Sequence, residues 1–92
     1  MADLRLTENE VDQRLRRLKG WKRQGLTIRK TYEFSGFIAA MAFVNFVAGE
    51  AEAMDHHPNI LIEYNTVALT LSTHSAKGVT EKDMALAQRL DA

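Results

Sequence analysis

All three histidines of this 92-residue chain fall within one stretch that also contains its only proline. The stretch combines an acidic residue, a histidine pair with proline, an aromatic residue, a third histidine and an aspartate: Glu52, His56, His57, Pro58, Tyr64, His74 and Asp83. Imidazole both donates and accepts protons near neutral pH, because its unperturbed pKa is about 6.5. The clustering therefore predicts a site for proton-transfer chemistry.

A metal site is the competing interpretation, since Glu52 and Asp55 lie near the histidine pair. Neighbouring side chains on a helix diverge by about 100°, so His56 and His57 are poorly placed to bind one ion together. The chain has no cysteine, no glycine-rich phosphate loop and no nucleophile motif. Acid–base chemistry without a metal is thus favoured over metal-, thiol- or nucleotide-dependent chemistry.

Single members of the cluster also have purely structural interpretations. Histidines at the end of a helix interact favourably with its last carbonyl groups. Glu52 lies four residues before His56 and could pair with it as on any helix. Asp83 has the capping-box spacing from Thr80, so helix initiation alone would explain it, although the carboxylate could serve both purposes.

Three segments have the apolar spacing and end signals of helices. Thr7 and Glu10 form a capping box for the first helix. The second runs from about Phe37 to the histidine pair, with Ser35 as its candidate cap. The third begins at Thr80.

Four further segments are predicted as strands that pair as two hairpins, with the clearest alternation of apolar and polar residues at 66–73. The first hairpin joins residues 21–23 to 26–34, with Leu26 on the apolar face, and the second joins 59–63 to 66–73. The order α-β-β-α-β-β-α predicts an α+β fold of two layers, in which helices pack on one face of a four-stranded antiparallel sheet.

Size and charge limit the function classes. The length suits a single domain spanning 1–92. Balanced charge, with 12 basic and 12 acidic residues, argues against a nucleic-acid-binding protein. Eight basic residues lie between 14 and 30; we interpret them as a solvated face, with an anionic ligand as the alternative. Since no apolar run approaches about 20 residues and no leader is evident, we expect a cytoplasmic protein without a membrane segment.

The second helix has apolar residues on two sides. Its main apolar face suits core packing. A second face consists of smaller residues and one phenylalanine: Ile38, Ala42, Phe46, Gly49 and Ala53. We predict that this second face, called the α2 back face below, contacts another subunit; the alternative is a monomer that exposes it.

The spacing of the cluster resembles the signature of the pterin-4a-carbinolamine dehydratases, in which an acidic residue precedes a His-His-Pro run by four positions. An aromatic residue, a further histidine and an aspartate follow, and no element is missing here. The resemblance extends to Leu71-Ser72-Thr73-His74, Gly20-Trp21 and Phe34-Ser35-Gly36-Phe37, and so covers most of residues 7–91.

This resemblance implies a two-layer α+β fold and dehydration of a 4a-hydroxytetrahydropterin to quinonoid dihydropterin and water, in tetrahydrobiopterin recycling. It implies three catalytic histidines, of which His56 and His74 are the acid–base candidates, while His57 helps to hold the pterin ring. The implied substrate-binding residues are Trp21, Glu52, Pro58, Thr73, Ser75 and Asp83. No metal or organic cofactor is implied.

Partners implied by the resemblance are the pterin, other copies in a homodimer or homotetramer, and a pterin-dependent hydroxylase in the same pathway. Two alternatives remain open. One is a non-catalytic pterin-binding or dimerisation cofactor module that resembles a transcriptional coactivator. The other is an accessory role in other pterin metabolism, such as molybdenum cofactor pathways.

Overall fold

The computed structural model describes residues 3–91 as one α+β unit with the predicted order α-β-β-α-β-β-α. A short 3₁₀ helix, His74–Ala76, lies between the last strand and the last helix. The main elements are α1 (Glu8–Leu15), β1 (Lys22–Gln24), β2 (Thr27–Glu33), α2 (Phe37–Met54), β3 (Asn59–Glu63), β4 (Thr66–Leu71) and α3 (Glu81–Asp91).

The four strands form one antiparallel sheet in the order β1-β2-β4-β3. Ile28 of β2 is opposite Leu71 of β4, and Leu69 of β4 is opposite Ile60 of β3. Side chains alternate between the two faces of a strand, so these apolar residues share the face on which the helices pack. Ile28, Leu69 and Leu71 are fully buried. Strand β4 lies between β2 and β3, and the chain continues from its buried end to His74.

Helix α2 packs against the sheet along one side only. Ala40, Val47 and Ala51 are buried on that side, and the Phe43 ring lies 4.5 Å from the Tyr32 ring. All five residues of the α2 back face are exposed. Ile38 retains 82% of its accessible surface. The single chain therefore leaves the predicted subunit face uncovered.

By length and composition alone, α2 could cross a membrane, which corrects the expectation that no segment approaches that length. Its 18 residues have a mean hydropathy of 1.4, and 17% of them are buried. One such helix is weak evidence, because core helices of soluble proteins pass the same test. The buried side of α2 and the ion pair between Glu50 and Arg89 of α3 instead indicate packing within the domain.

Two local predictions were wrong. Leu26 lies outside β2 and is 58% exposed, because Gln24 pairs with Thr27 and leaves Gly25 and Leu26 as the turn residues. Ser35 does not cap α2: the N-cap is Gly36, without a side-chain hydrogen bond. The predicted Thr7–Glu10 capping box is confirmed.

The basic segment between 14 and 30 is largely a solvated face. Arg16, Arg17, Lys19 and Lys22 are exposed. Other members form ion pairs, namely Arg14 with Glu81, Arg23 with Asp12, and Lys30 with Asp91. Pairing and exposure together account for most of the positive charge without an anionic ligand.

Asp91, at the end of α3, joins that helix to the sheet. Its carboxylate accepts hydrogen bonds from Trp21 Nε1 (2.9 Å), the Tyr32 hydroxyl (2.8 Å) and Lys30 Nζ (3.2 Å). The Lys30 ammonium also lies 4.6 Å from the centre of the Tyr32 ring. These contacts explain why a lysine interrupts the apolar face of β2.

We expect this cluster to make stability fall at alkaline pH. Burial, and then the hydrogen bond and charge of Asp91, raise the pKa of the Tyr32 phenol above its ordinary value of about 10. As the pH rises, the unfolded chain therefore loses the phenol proton before the folded protein does. The contribution of Tyr32 to the free energy of unfolding should be fully present below about pH 10 and decline above it. Urea unfolding at increasing pH should show a smaller alkaline decline in Tyr32→Phe than in wild type. An equally steep decline in both proteins would contradict the assignment.

Candidate active site

The histidine pair follows a sharp end of α2. Asp55 adopts a left-handed conformation (φ 50°), and its N–H donates back to the Ala51 and Glu52 carbonyl groups. The His56 N–H donates to the Ala51 carbonyl at 3.0 Å, and Pro58 prevents helical continuation. The turn sends His56 and His57 to different surroundings, as the sequence predicted.

His56 points inward to Asp83 of α3. His56 Nε2 lies 2.6 Å from Asp83 Oδ1, and the exposed fractions of the two side chains are 10% and 0%. His56 Nδ1 has no hydrogen-bond partner among residues 3–91 and is not one of their buried unpaired atoms. One ring nitrogen is thus held by the protein, and the other is left for an external group.

Asp83 has both roles that the sequence left open. Its Oδ2 accepts from the Thr80 backbone N–H at 2.8 Å and from the Thr73 hydroxyl at 2.9 Å. The Thr80 hydroxyl accepts from the Lys82 N–H at 3.2 Å, which completes the reciprocal cap at the start of α3. The same carboxylate therefore starts a helix with one oxygen and holds His56 with the other.

Glu52 pairs with His57, not with His56 as the i, i+4 spacing suggested. His57 Nε2 lies 2.5 Å from Glu52 Oε2, and both side chains are mostly exposed. The left-handed Asp55 is the reason, because it breaks the helical spacing before His56 is reached. This pair therefore lies at the surface, whereas the His56–Asp83 pair is buried.

His74 comes from a different element than predicted. β4 ends at Leu71, not at residue 73, and His74 is the exposed first residue of the 3₁₀ helix. A bridge between Thr73 and Gly78 closes this loop. Ser75 is exposed in the same turn, whereas the Thr73 side chain is buried.

Of the remaining candidate residues, Trp21 and the aromatic residue of the signature, Tyr64, lie apart from this network. Trp21 is 4% exposed and bonded to Asp91, eight residues along α3 from Asp83 or about 12 Å at the helical rise. Tyr64 is in the β3–β4 turn and is 69% exposed. Pro58 is half-buried beside the histidine pair. Direct contact of Trp21 and Pro58 with a pterin stays a prediction.

The amino-terminal segment supports the His74 loop, a contact that sequence reasoning missed. The Leu6 N–H donates to the Val79 carbonyl at 2.8 Å, and Arg5 Nη1 donates to the Lys77 carbonyl. Gly78 lets Arg5 approach closely, since a Cβ there would overlap with Arg5 Cδ. The missed pairing has no local signal, because its partners are more than 70 residues apart in sequence.

The arrangement is suited to proton transfer. Within residues 3–91, no group of three His, Cys, Asp or Glu side chains is placed to hold a metal ion. A carboxylate beside one imidazole nitrogen fixes the orientation of the ring and leaves the other nitrogen to exchange a proton. The histidine therefore has the support expected of a general acid or base.

Comparisons with known proteins find relatives of similar sequence and fold. A provisionally named pterin-4-alpha-carbinolamine dehydratase of Acidobacterium capsulatum is 51% identical over 87 residues, with 95% of each chain covered. One from Thermomicrobium roseum is 50% identical, covering 94% of this chain and 92% of the relative.

Two solved structures have similar folds. A transcriptional coactivator/pterin dehydratase from Brucella Melitensis superposes with a TM-score of 0.90 at 40% identity, with 95% of each chain covered. A pterin dehydratase-like protein described as a RuBisCO assembly factor in the alpha-carboxysome gives 0.67 at 28% identity, covering 78% of this chain and 86% of that one. Because the family model described as Pterin 4 alpha carbinolamine dehydratase matches residues 4–92, and the relatives cover nearly the whole chain, this protein belongs to that family.

Proposed function

We propose that this protein is a 4a-hydroxytetrahydropterin dehydratase, a hydro-lyase of tetrahydrobiopterin recycling. The reaction breaks the C4a–OH bond and the N5–H bond of a pterin carbinolamine and forms a C4a=N5 double bond. An acid donates a proton to the hydroxyl, which leaves as water, while a base accepts the proton of N5. The products are quinonoid dihydropterin and water. The enzyme donates one proton and accepts one proton, so its net protonation does not change.

The pairing of His56 with Asp83 is the observation that supports this proposal best. A buried carboxylate 2.6 Å from Nε2 orients the ring, and Nδ1 remains available to a substrate atom. A histidine held only for packing would need neither a fully buried carboxylate nor an unpaired ring nitrogen.

Roles for the other histidines follow from their positions. His74, exposed at the start of the 3₁₀ helix, is the second acid–base group in the proposal. His57, held by Glu52 at the surface, helps to orient the pterin ring together with Pro58. Placing acid and base on separate elements lets them act on the hydroxyl and on N5 separately.

The proposal is tested by following the decay of freshly generated 4a-hydroxytetrahydropterin by its ultraviolet absorbance. Addition of protein should accelerate the decay in proportion to protein concentration. Protein unfolded by urea and then diluted into the same final buffer at a temperature that prevents refolding is the control for buffer catalysis. Unchanged decay with folded protein would reject the dehydratase activity.

Assembly is part of the proposal, because the α2 back face is apolar and uncovered in the single chain. Phe46 is 45% exposed and Ile38 is 82% exposed; Ala42 lies between them, and Gly49 and Ala53 lie beyond Phe46. Small residues let two helices approach closely, and burying Phe46 and Ile38 would supply hydrophobic free energy. We propose that a second copy of this chain covers the α2 back face in a dimer or tetramer.

We expect Phe46→Glu to dissociate the assembly, because a carboxylate would be buried without a partner in an apolar contact. Gel filtration with light scattering should give a species of one-chain mass, about 10.4 kDa. Gln13→Glu adds the same charge on the exposed surface of α1 and should leave the assembled mass unchanged. Retention of the assembled mass by Phe46→Glu would remove the α2 back face as an interface. Dissociation without loss of dehydratase activity would show that assembly and catalysis are separable, as a binding role would require.

A further inference from the structure

Two buried threonine hydroxyls form a chain that ends on the catalytic candidate pair. Thr73 Oγ1 lies 2.7 Å from Thr80 Oγ1 and 2.9 Å from Asp83 Oδ2. Thr73 is 5% exposed, Thr80 is 1% exposed and Asp83 is fully buried. Helix capping uses the Thr80 backbone N–H as a donor and the Thr80 hydroxyl oxygen as an acceptor, so it does not account for the contact between the two hydroxyls.

The direction of each hydrogen bond follows from the number of protons available. Each hydroxyl has a single proton to donate. A carboxylate oxygen accepts, so the Thr73 proton is directed to Asp83 Oδ2. Thr80 must then donate its own proton to Thr73 Oγ1, while Thr80 Oγ1 accepts from the Lys82 N–H. The chain therefore runs in one direction, from Thr80 through Thr73 to Asp83.

These donors decide which atom holds the proton between Asp83 and His56. Asp83 Oδ2 accepts two hydrogen bonds, from the Thr73 hydroxyl and the Thr80 N–H. A carboxylate oxygen accepts hydrogen bonds and has no proton to donate, so the proton in the 2.6 Å contact belongs to Nε2 of His56. Nδ1 is then the nitrogen that meets the substrate.

We infer that Thr73 and Thr80 are positioning residues that hold His56 in the Nε2–H tautomer, with Nδ1 as its acid–base atom. This deepens the proposed function, on which its kinetic consequence rests. It gives Thr73 a positioning role, while the implied contact of Thr73 with the substrate stays a prediction. Because the Thr73 hydroxyl donates to Asp83 and accepts from Thr80, it acts on the substrate through His56 in this inference.

The tautomer can be measured without substrate by ¹⁵N NMR of protein labelled at histidine, with the His56 signals assigned from His56→Gln. At a pH where the ring is neutral, wild type should show a protonated Nε2 and an unprotonated Nδ1. Thr73→Val should shift the population toward the Nδ1–H tautomer, and Thr80→Val should do so less. Thr73→Ser and Thr80→Ser keep the hydroxyls and should keep the wild-type tautomer.

Kinetics provide the second measurement. Losing a hydrogen bond to a charged group should lower the dehydration rate of Thr73→Val about 10- to 100-fold. Losing the bond between neutral hydroxyls should lower that of Thr80→Val about 2- to 10-fold. Each serine variant should recover most of the rate. Thr70→Val removes a hydroxyl from the face of β4 opposite the helices and should match wild type in rate and tautomer.

An Nδ1–H tautomer in wild type would overturn the inference, and so would an unchanged tautomer in both folded valine variants. If a valine variant does not fold, the wild-type tautomer and the serine variants still decide the matter. Wild-type protein with the Nε2–H tautomer but without dehydratase activity would uphold this inference while rejecting the proposed function.

Discussion

His56→Ala and His74→Ala should each lower the dehydration rate by about 10² to 10⁴, the usual contribution of a positioned acid or base. For His56, the loss removes the only imidazole that is held by a buried carboxylate within residues 3–91. For His74, it removes the histidine of the 3₁₀ helix, which the proposal pairs with His56. Rates are measured from the absorbance decay of the 4a-hydroxytetrahydropterin, with enzyme-free decay subtracted.

His57→Ala is the matched control for that experiment. His57 is an exposed histidine bonded to Glu52, so its loss should weaken substrate binding and raise KM more than it lowers kcat. Circular dichroism should show that all three variants are folded. Near wild-type rates for both His56→Ala and His74→Ala would contradict the acid–base assignment even if wild type is active.

Asp83→Ala should have the largest effect on stability, about 3 to 5 kcal/mol. The substitution leaves three donors without their acceptor in the interior: His56 Nε2–H, the Thr73 hydroxyl and the Thr80 N–H. Each buried group without a partner costs about 1 to 3 kcal/mol. The free energy of unfolding of a small domain is about 5 to 15 kcal/mol in total. The variant should therefore lose a large part of its stability. Urea unfolding measures this loss as a lower midpoint.

Two variants distinguish the contribution of this buried network to stability from the general effect of replacing an aspartate. Asp12→Ala removes a half-exposed carboxylate that pairs with Arg23 at the surface, and should cost less than about 1 kcal/mol. Asp83→Asn keeps the size of the side chain and one acceptor oxygen, so its loss of stability should fall between those of the two alanine variants. An Asp83→Ala midpoint equal to that of Asp12→Ala would show that the buried network contributes little.

Local patterns in the sequence determined most of the elements. The alternation of apolar and polar residues over 66–73 predicted a strand, and β4 covers Thr66–Leu71 of that range. Residues 59–63 were predicted as its hairpin partner, and β3 has those bounds. The Thr7–Glu10 and Thr80–Asp83 caps were predictable because both partners lie within one helical turn. Predictions failed where two turn positions were nearly equivalent, as at Leu26, or where glycine replaced a side-chain cap, as at Gly36.

The sequence by itself also determined which residue types form the candidate site, but only the tertiary structure decided how they pair. His56 and Asp83 are 27 positions apart, and their contact depends on α2 and α3 packing on the same face of the sheet. The left-handed Asp55 directs Glu52 to His57, and the end of β4 places the Thr73 hydroxyl against Asp83. Spacing along a chain reports neighbours within a turn of helix or across a hairpin, whereas these pairings follow from the packing of separate elements.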